Sequence, residues 1–398
     1  MRIAIDGSHW AIPGGIRSLL ENLLPALQSS SPSIELKVLL RGRTAAVAET
    51  LPAGVTPVPM GWPRRLLDRL ENHVGWPKVE RFSGPVDVVH GTHFSLPRAA
   101  SGVPSILTVQ DVAYLRRPDL YNDPGGNDYG YRYLLKHSLK RADRVIAIAH
   151  SSKRDLVEVT GIDPEKVWVV SLGVDPRFFP ASKEEQARAR RRVGIEGDFL
   201  IYPVGTITPR KNIERTLCAF SMAFPDPITR PALLLTGPGK FPAVTRDLIE
   251  ALGLSASVRC ASVSYPDDLR ALLTAARFGV YPSLYEGFGL PPLEAMACDL
   301  PMLVADRTSC PEVVGKAALL IDPESVEAIA DGMTRLYESE SVRANFRQRG
   351  RRRVADPAFG WDRVARQVLA VYRDDRAAFA AEVDPLTYAE SPDHAIEA

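Results

Sequence analysis

Little in this chain suggests a covalent or metal staple. Its four cysteines, Cys218, Cys260, Cys298 and Cys310, are scattered through 398 residues without a C-x-x-C pair. That spacing argues against a disulfide framework or a structural zinc site and makes a reducing cytosol the expected compartment. No uninterrupted apolar run approaches the roughly 18 residues of a membrane span. The longest, such as Val145–Ala149, are strand-sized. The opening MRIAIDGSHW has no apolar h-region followed by a small-residue cleavage site, so no secretory signal is expected. Neither sign of charge is in excess, with 49 Lys+Arg against 48 Asp+Glu and a net charge of +1. A surface built as a whole for nucleic acid or an anionic membrane is thereby excluded, while local basic patches stay open. D-x-D is absent, which removes the usual carboxylate clamp for a metal–nucleotide complex. G-x-S-x-G and H-E-x-x-H are absent too, so a hydrolase triad or a zinc protease has no support.

What is present is the balance of a soluble globular protein, 45% hydrophobic and 24% charged, long enough for two or three domains. The rhythm is β-branched strand, loop, amphipathic helix. Arg2–Ile5 reads as a strand, followed by a loop ending in Pro13-Gly14-Gly15. Ile16, Leu19, Leu20, Leu23, Leu24 and Leu27 then fall on one helical face. Further strands read at Glu35–Leu40, Val86–Val89, Ser105–Val109, Val145–Ala149 and Val167–Val170. After a polar stretch containing Lys183–Arg192, expected to be a solvated linker helix, the rhythm restarts. Strands at Phe199–Val204, Ala232–Thr236, Phe278–Tyr281 and Met302–Ala305 alternate with helices. This alternation predicts an α/β fold with parallel sheets covered on both faces. The expected organisation is a Rossmann-like domain at 1–175, a linker at 176–197 and a second Rossmann-like domain at 198–355. A helix at 356–376 returns to the first domain, and a loosely ordered acidic tail occupies 377–398.

The most informative string is Tyr281–Ala297, YPSLYEGFGLPPLEAMA. A strand ends near Tyr281, a glycine-bearing turn follows, and Pro291 and Pro292 suit the first turn of a helix. Glu286 in the loop and Glu294 on the helix would flank free backbone N–H groups, a setting that favours a phosphate or a partly negative leaving group. Either carboxylate could also be ordinary, Glu294 capping its helix and Glu286 facing solvent. Gly205-Thr-Ile-Thr-Pro-Arg-Lys-Asn212 follows another strand. There glycine permits close backbone approach and Arg210 and Lys211 offer charge to a diphosphate, although Arg-Lys pairs are common on surfaces. Gly237-Pro-Gly-Lys240 echoes a P-loop but fails it, with Leu234 at the required first glycine and Phe241 in place of Ser or Thr. His90 and His93 have an H-x-x-H spacing without an evident third ligand, so no metal site is expected.

Together, the E-x7-E pair within EGFGLPPLEAMA and the P-R-K-N loop resemble the retaining glycosyltransferases of family 4, with a GT-B fold. Cys310–Gly315, Ala317–Asp322, Pro13–Ile16 and Ser171–Asp175 extend the likeness over most of the chain. The resemblance implies two Rossmann-like domains facing a cleft, the first taking the acceptor and the second a nucleotide sugar. It implies Glu286, Lys211 and Arg210 as catalytic residues. Gly14, Gly15, Gly205, Thr206, Glu286, Gly287, Phe288, Gly289, Leu290 and Glu294 would bind the donor, with Glu286 on the sugar hydroxyls and Glu294 on the ribose. Many members carry Arg directly after the loop glycine; Thr206 stands here, leaving Lys211 as the main phosphate contact. The family often has His-Asp where this chain has Gln110-Asp111, and glutamine cannot titrate near neutral pH. Gln110, Asp111 and His90 are expected on the sugar or acceptor side. The P-R-K-N variant is most similar to bacterial mannosyltransferases of surface-polysaccharide assembly. GDP-mannose is therefore the expected donor, a glycan or lipid-linked molecule the acceptor, and neither metal nor other cofactor is expected. A GT-B nucleotide-sugar epimerase and a catalytically silent nucleotide-sugar-binding module are the alternatives. No nucleic-acid partner is expected.

One stretch bears on the membrane. Within Gly61–Phe82 the basic residues Arg64, Arg65, Arg69, Lys78 and Arg81 outnumber Asp68, Glu71 and Glu80, and Trp62 and Trp76 flank the segment. Leu66, Leu67, Leu70 and Val74 share a helical face. The segment fits a core-facing helix or a peripheral anchor on the cytoplasmic membrane face.

Overall fold

The structure, a computed structural model, describes residues 1–12, 14–41, 48–121, 127–237 and 240–386. Pro13 of the glycine loop, Pro238 and Gly239 of the failed P-loop, and positions 387–398 of the acidic tail lie outside them. The chain divides into two compact units. The first gathers Met1–Arg116, Asp123–Gly173 and Ala358–Asp384, and the second is built on Val174–Pro357.

The first unit holds a seven-stranded parallel sheet in the order β3-β2-β1-β4-β5-β6-β7. Its strands are β1 (Arg2–Asp6), β2 (Glu35–Leu40), β3 (Val55–Pro59), β4 (Val88–Gly91), β5 (Ser105–Val109), β6 (Arg144–Ala147) and β7 (Val167–Val169). The second unit holds a six-stranded parallel sheet, β10-β9-β8-β11-β12-β13. These strands are β8 (Phe199–Pro203), β9 (Ala232–Thr236), β10 (Val258–Ala261), β11 (Phe278–Tyr281), β12 (Met302–Ala305) and β13 (Leu319–Ile321). The central strands are apolar throughout because helices cover both faces, as in Ile3, Ala4 and Ile5 or Leu200, Ile201 and Tyr202, none of which reaches solvent. Each sheet reverses its winding once, between β1 and β4 and between β8 and β11. Ligands of open α/β sheets bind outside the strand carboxyl ends at such a switch point.

Helix Gly15–Ser30 follows β1 and buries Leu19, Leu20, Leu23, Leu24 and Leu27, the expected apolar face. It packs against helix Trp361–Arg373, which belongs to the first unit. The stretch read as a linker is part of the second unit instead. Helix Lys183–Val193 is fixed by a capping box between Ser182 and Glu185, packs on helix Asp267–Ala275, and pairs Arg192 with Asp268 at 2.7 Å. The beginning of the acidic tail is also ordered: Asp384 accepts from Ser171 Oγ at 2.6 Å and from His150 Nε2 at 2.8 Å.

Helix Arg64–His73 faces the core through Leu67, Asp68 and Glu71. Buried Arg41 donates to Asp68 Oδ1 at 2.8 Å and to both Glu71 oxygens at 2.9 Å, which fixes the helix beside the end of β2. Leu66, Val74 and Trp76 are exposed, and Trp76 stacks edge-on with Trp62 at 5.2 Å beneath the Arg81 guanidinium. The Arg64 side chain lies outside the described residues. Among the described residues no helix is long and apolar enough to cross a membrane.

Candidate active site

Both loops at the switch point of the second sheet carry charge. After β8 the chain turns at Gly205, whose φ of 70° suits glycine, and then makes a short 3-10 turn over Pro209–Lys211. Asn212 adopts a left-handed conformation at φ 55°, rare for a residue with a side chain. Its amide holds it there by donating to the carbonyls of Pro282 at 3.0 Å and Pro323 at 2.6 Å. The neighbouring loop is tied in turn, Leu284 N donating to Arg210 O at 2.9 Å.

These ties bring three charged side chains together. Glu286 accepts from Lys211 Nζ at 2.6 Å on one carboxylate oxygen and from Arg210 at 2.8 Å on the other. Lys211 also donates to the Tyr281 hydroxyl at 2.9 Å and lies 4.9 Å above that ring, while Arg210 donates to Tyr285 O at 2.9 Å. The Tyr202 hydroxyl donates to Lys211 O. The Glu286 backbone is fixed by Thr308 Oγ1, which accepts from its N–H at 3.0 Å, and by Ser309 Oγ, which donates to the carbonyls of Glu286 and Phe288 at 2.9 Å. Burial opposes ionisation of Glu286, but Arg210 and Lys211 outweigh it and hold its pKa at about 2. Burial draws the Lys211 ammonium below its usual value, and Glu286 resists that. With all three ionised the cluster carries one net positive charge beside a helix N-terminus, a setting for an anion.

Gly287, Phe288 and Gly289 are buried in the turn, and Gly289, at φ 97°, leads into helix Leu290–Ala297. Thr206 is exposed and Leu290 half-buried. Glu294 is the fifth residue of the helix, in its second turn, and does not cap it. It is buried and accepts from the Tyr265 hydroxyl at 2.9 Å. Burial raises its pKa to about 7; the Tyr265 hydrogen bond opposes this, Asp175 adds to it, and Arg177 opposes it. Folding thus favours the protonated acid. That contribution is complete below the ordinary 4.5 and is lost as pH rises through about 7. At pH 8 the ionised group then weighs against folding by about 3 kcal/mol. Glu294→Gln should raise the melting temperature at pH 8 by roughly 5 °C, the gain shrinking as pH falls and vanishing below 4.5. Buried His90 titrates in the opposite sense but is common to both proteins and cancels in the difference. Calorimetry of the pair at several pH values measures it, and an unchanged melting temperature at pH 8 would contradict the assignment.

In the first unit Gly14 and Gly15 are exposed at the start of helix Gly15–Ser30. Among the described residues, a Cβ added to Gly14 would touch nothing, and one on Gly15 only Gln110 Oε1, at 3.6 Å. Gln110 is half-buried, and its buried Nε2 has no hydrogen-bond partner among the described residues. Asp111 Oδ1 accepts from Ala113 N at 3.1 Å. His90 corrects the sequence reading. It lies in β4, fully enclosed, with Nδ1 on the Tyr372 hydroxyl and Nε2 on Thr108 Oγ1, both at 2.7 Å. Burial drives its pKa down to about 4 despite Asp6, so it is a neutral core histidine joining the sheet to the C-terminal helix. His93 packs against His9 with ring centroids 4.5 Å apart and the rings tilted by 50°. Among the described residues no group of three or more His, Cys, Asp or Glu could hold a metal ion.

Arg210, Lys211 and Glu286 therefore meet in the second unit, Glu294 lies in the same unit on Tyr265, and Gly14, Gly15, Gln110 and Asp111 lie in the first. Sequence reasoning missed Tyr281, Tyr265, Thr308, Ser309 and Asn212. Only Asn212, the last letter of P-R-K-N, carried a local signal.

Residues 13–178 match Glycosyltransferase Family 4, and residues 185–353 match Glycosyl transferases group 1. The chain is 28% identical to O-antigen chain mannosyltransferase B of Escherichia coli, over 72% of this chain and 74% of that one. It is 31% identical to MMP alpha-(1->4)-mannosyltransferase of Mycolicibacterium hassiacum, over 64% of this chain but only 59% of that one. Among solved structures, Anabaena Alr3699/HepE in complex with UDP-glucose superposes with a TM-score of 0.71 at 18% identity, covering 94% of this chain and all of that one. WaaG, a glycosyltransferase involved in lipopolysaccharide biosynthesis, gives 0.71 at 16% identity, over 93% of this chain and 99% of that one. With paired family 4 and group 1 domains on a GT-B fold, the chain belongs to the glycosyltransferases.

Proposed function

We propose that this protein moves a hexose, mannose being favoured, from a nucleoside-diphosphate sugar to a glycan or lipid-linked acceptor, with retention and without a metal ion. The observation that carries the reading is the Lys211–Glu286–Arg210 cluster at the switch point of the second sheet. The bond from the anomeric carbon to the β-phosphate oxygen breaks, its electron pair leaving with the diphosphate. The acceptor oxygen bonds to that carbon on the same face, and its proton passes to the departing phosphate. Lys211 donates two protons to Glu286 and Tyr281 and has a third for the diphosphate. Arg210 adds a second cation, and such preorganised charge lowers the barrier to leaving-group departure. Glu286 takes the sugar hydroxyls and Glu294 the ribose diol. The exposed glycines Gly14 and Gly15 open a helix whose N–H groups suit phosphate. Gln110 hydrogen-bonds the sugar or acceptor. Mannose and GDP are favoured because curated relatives are named mannosyltransferases and because of the P-R-K-N loop. A thermal-shift panel of GDP-, UDP- and ADP-sugars tests this, since a ligand of the native state raises its stability. GDP-mannose should give the largest shift, and EDTA should not diminish it. No shift with any sugar nucleotide, or a shift abolished by EDTA, would count against the reading.

A lipid-linked acceptor would place the enzyme on the cytoplasmic face of the membrane. The exposed side of helix Arg64–His73 offers Arg65, Arg69 and Leu66, with Val74 and Trp76 just beyond. Such basic residues contribute about 1 kcal/mol each near anionic lipid. Co-sedimentation with anionic vesicles should therefore fall with salt and in Arg65→Glu/Arg69→Glu, while activity on a soluble acceptor holds. Failure to sediment at low salt would leave a protein without membrane affinity.

A further inference from the structure

Tyr265 is tied to Glu294 from a different loop, and the sequence gives no hint of it. It follows β10, is 44% exposed, and directs its hydroxyl inward to Glu294 Oε1 at 2.9 Å. The same hydroxyl lies 3.4 Å from Asp175 Oδ2. A phenol has one proton, so two carboxylates compete for a single donor, with Glu294 at the shorter distance. Asp175 is buried and held by Arg177, whose Nε reaches both its oxygens at 3.0 Å. The Arg177 guanidinium also covers the Tyr265 ring at 5.5 Å, and Phe178 packs against that ring with centroids 5.5 Å apart. Ring and hydroxyl are thus fixed from two sides.

We propose that Tyr265 is a positioning residue for the nucleotide: its hydroxyl orients the Glu294 carboxylate and keeps it ionised for the ribose diol, while Asp175 competes for the same proton. The proposal rests on the assignment of Glu294 to ribose. A buried carboxylate offered one strong donor stays charged more readily than one offered none. An ionised carboxylate can accept from both ribose hydroxyls, whereas the acid presents a proton of its own. The groups acting on Glu294 are few. Tyr265 faces it from the loop after β10, and Asp175 and Arg177 from the segment entering the second unit. Cys298 lies one turn along its own helix and has a strongly raised pKa. Arg270, on the helix packed beside it, acts on that thiol. On the far side Arg351 pairs with Asp299 at 2.5 Å, at the end of the helix. Burial is the largest influence on Glu294, and Tyr265 the first that opposes it.

The test is the pH dependence of nucleoside-diphosphate affinity in the full chain, by calorimetry from pH 5.5 to 9. GDP, UDP and ADP are tried first, and the tightest binder is carried forward. Tyr265→Phe keeps the ring and removes the hydroxyl. Its affinity profile should move to higher pH by about one unit. Affinity at pH 7 should fall roughly fivefold, and the two proteins should converge by pH 9. With donor, KM should rise while kcat stays within about twofold. Asp175→Asn removes a like charge and leaves a neutral amide, a weaker competitor for the Tyr265 proton, so its profile should move the other way. Glu294→Gln should bind more weakly and lose the Glu294 part of the profile, leaving that of the probe's phosphate and of Lys211. If Tyr265→Phe superimposes on the wild type, or loses affinity equally at every pH, the proposal is overturned while the ribose assignment stands. If Glu294→Gln binds as the wild type does, or none of the three nucleotides binds, the ribose assignment itself fails.

Discussion

Replacing Lys211 with alanine is expected to lower kcat/KM for the donor by about 100-fold, the scale of losing one preorganised donor to a developing anion. Lys211 is buried, hydrogen-bonded to Glu286 and Tyr281, and held by a turn whose following residue is anchored to two carbonyls. Its position therefore needs no rearrangement when charge develops on the leaving diphosphate. Removing it leaves Arg210 and Glu286 as a neutral pair, so the cluster loses its attraction for an anion. The fold should survive, because Arg210 still answers the Glu286 carboxylate. The stability cost should be about 1–3 kcal/mol, from packing and the two hydrogen bonds of the ammonium. Initial rates alongside thermal unfolding separate the two effects. A well-folded variant with wild-type kcat/KM would remove Lys211 from the site.

Glu286→Gln should act differently, because it deletes the one negative charge in the cluster. Transfer should fall by about 100-fold or more through loss of the sugar contact. Affinity for bare GDP, which has no sugar, should hold or rise as two cations are left without their counter-charge. Stability at pH 7 should drop by about 3 kcal/mol, as expected on breaking a buried ion pair. The pH dependence has a definite sign. The folded pKa of about 2 lies below the ordinary 4.5, so the carboxylate's contribution is full above 4.5 and is lost as pH falls through 2. The difference between wild type and variant should shrink across that window, which denaturant titrations at pH 7 and pH 3 would detect. Equal losses of GDP affinity and transfer would contradict the division between sugar and ribose.

The loops were legible because their chemistry is contiguous. P-R-K-N and E-G-F-G each follow an apolar strand, and parallel strands must end on the same side of their sheet. The pairing between them was not legible, since Lys211 and Glu286 are 75 residues apart and opposite charges could equally have faced separate parts of a ligand. His90 was misplaced for a related reason. Its spacing to His93 looks the same in a strand as in a loop, and the partner that encloses it, Tyr372, lies 282 residues away. The unread strands, β3, β10 and β13, are all sheet edges. β3 carries Pro57 and Pro59, tolerable where one side of the ladder is open. β10 is half-exposed and interrupted by Arg259, and β13 spans only Leu319–Ile321, too short to stand out as a strand. The charged helix Lys183–Val193 resembled a linker because its contacts are salt bridges and a capping box rather than an apolar stripe.

The most direct measurement is transfer of labelled sugar from GDP-mannose, with UDP- and ADP-sugars in parallel, to a panel of glycan and lipid-linked acceptors. It would be run in EDTA, with the anomeric configuration of the product read by NMR. The account predicts label in the acceptor with the donor's configuration and nucleotide released only when acceptor is present. Free nucleotide or isomerised sugar from donor alone would indicate an epimerase, and binding without turnover across the panel a silent nucleotide-sugar module. Either result, or an inverted linkage, would contradict it.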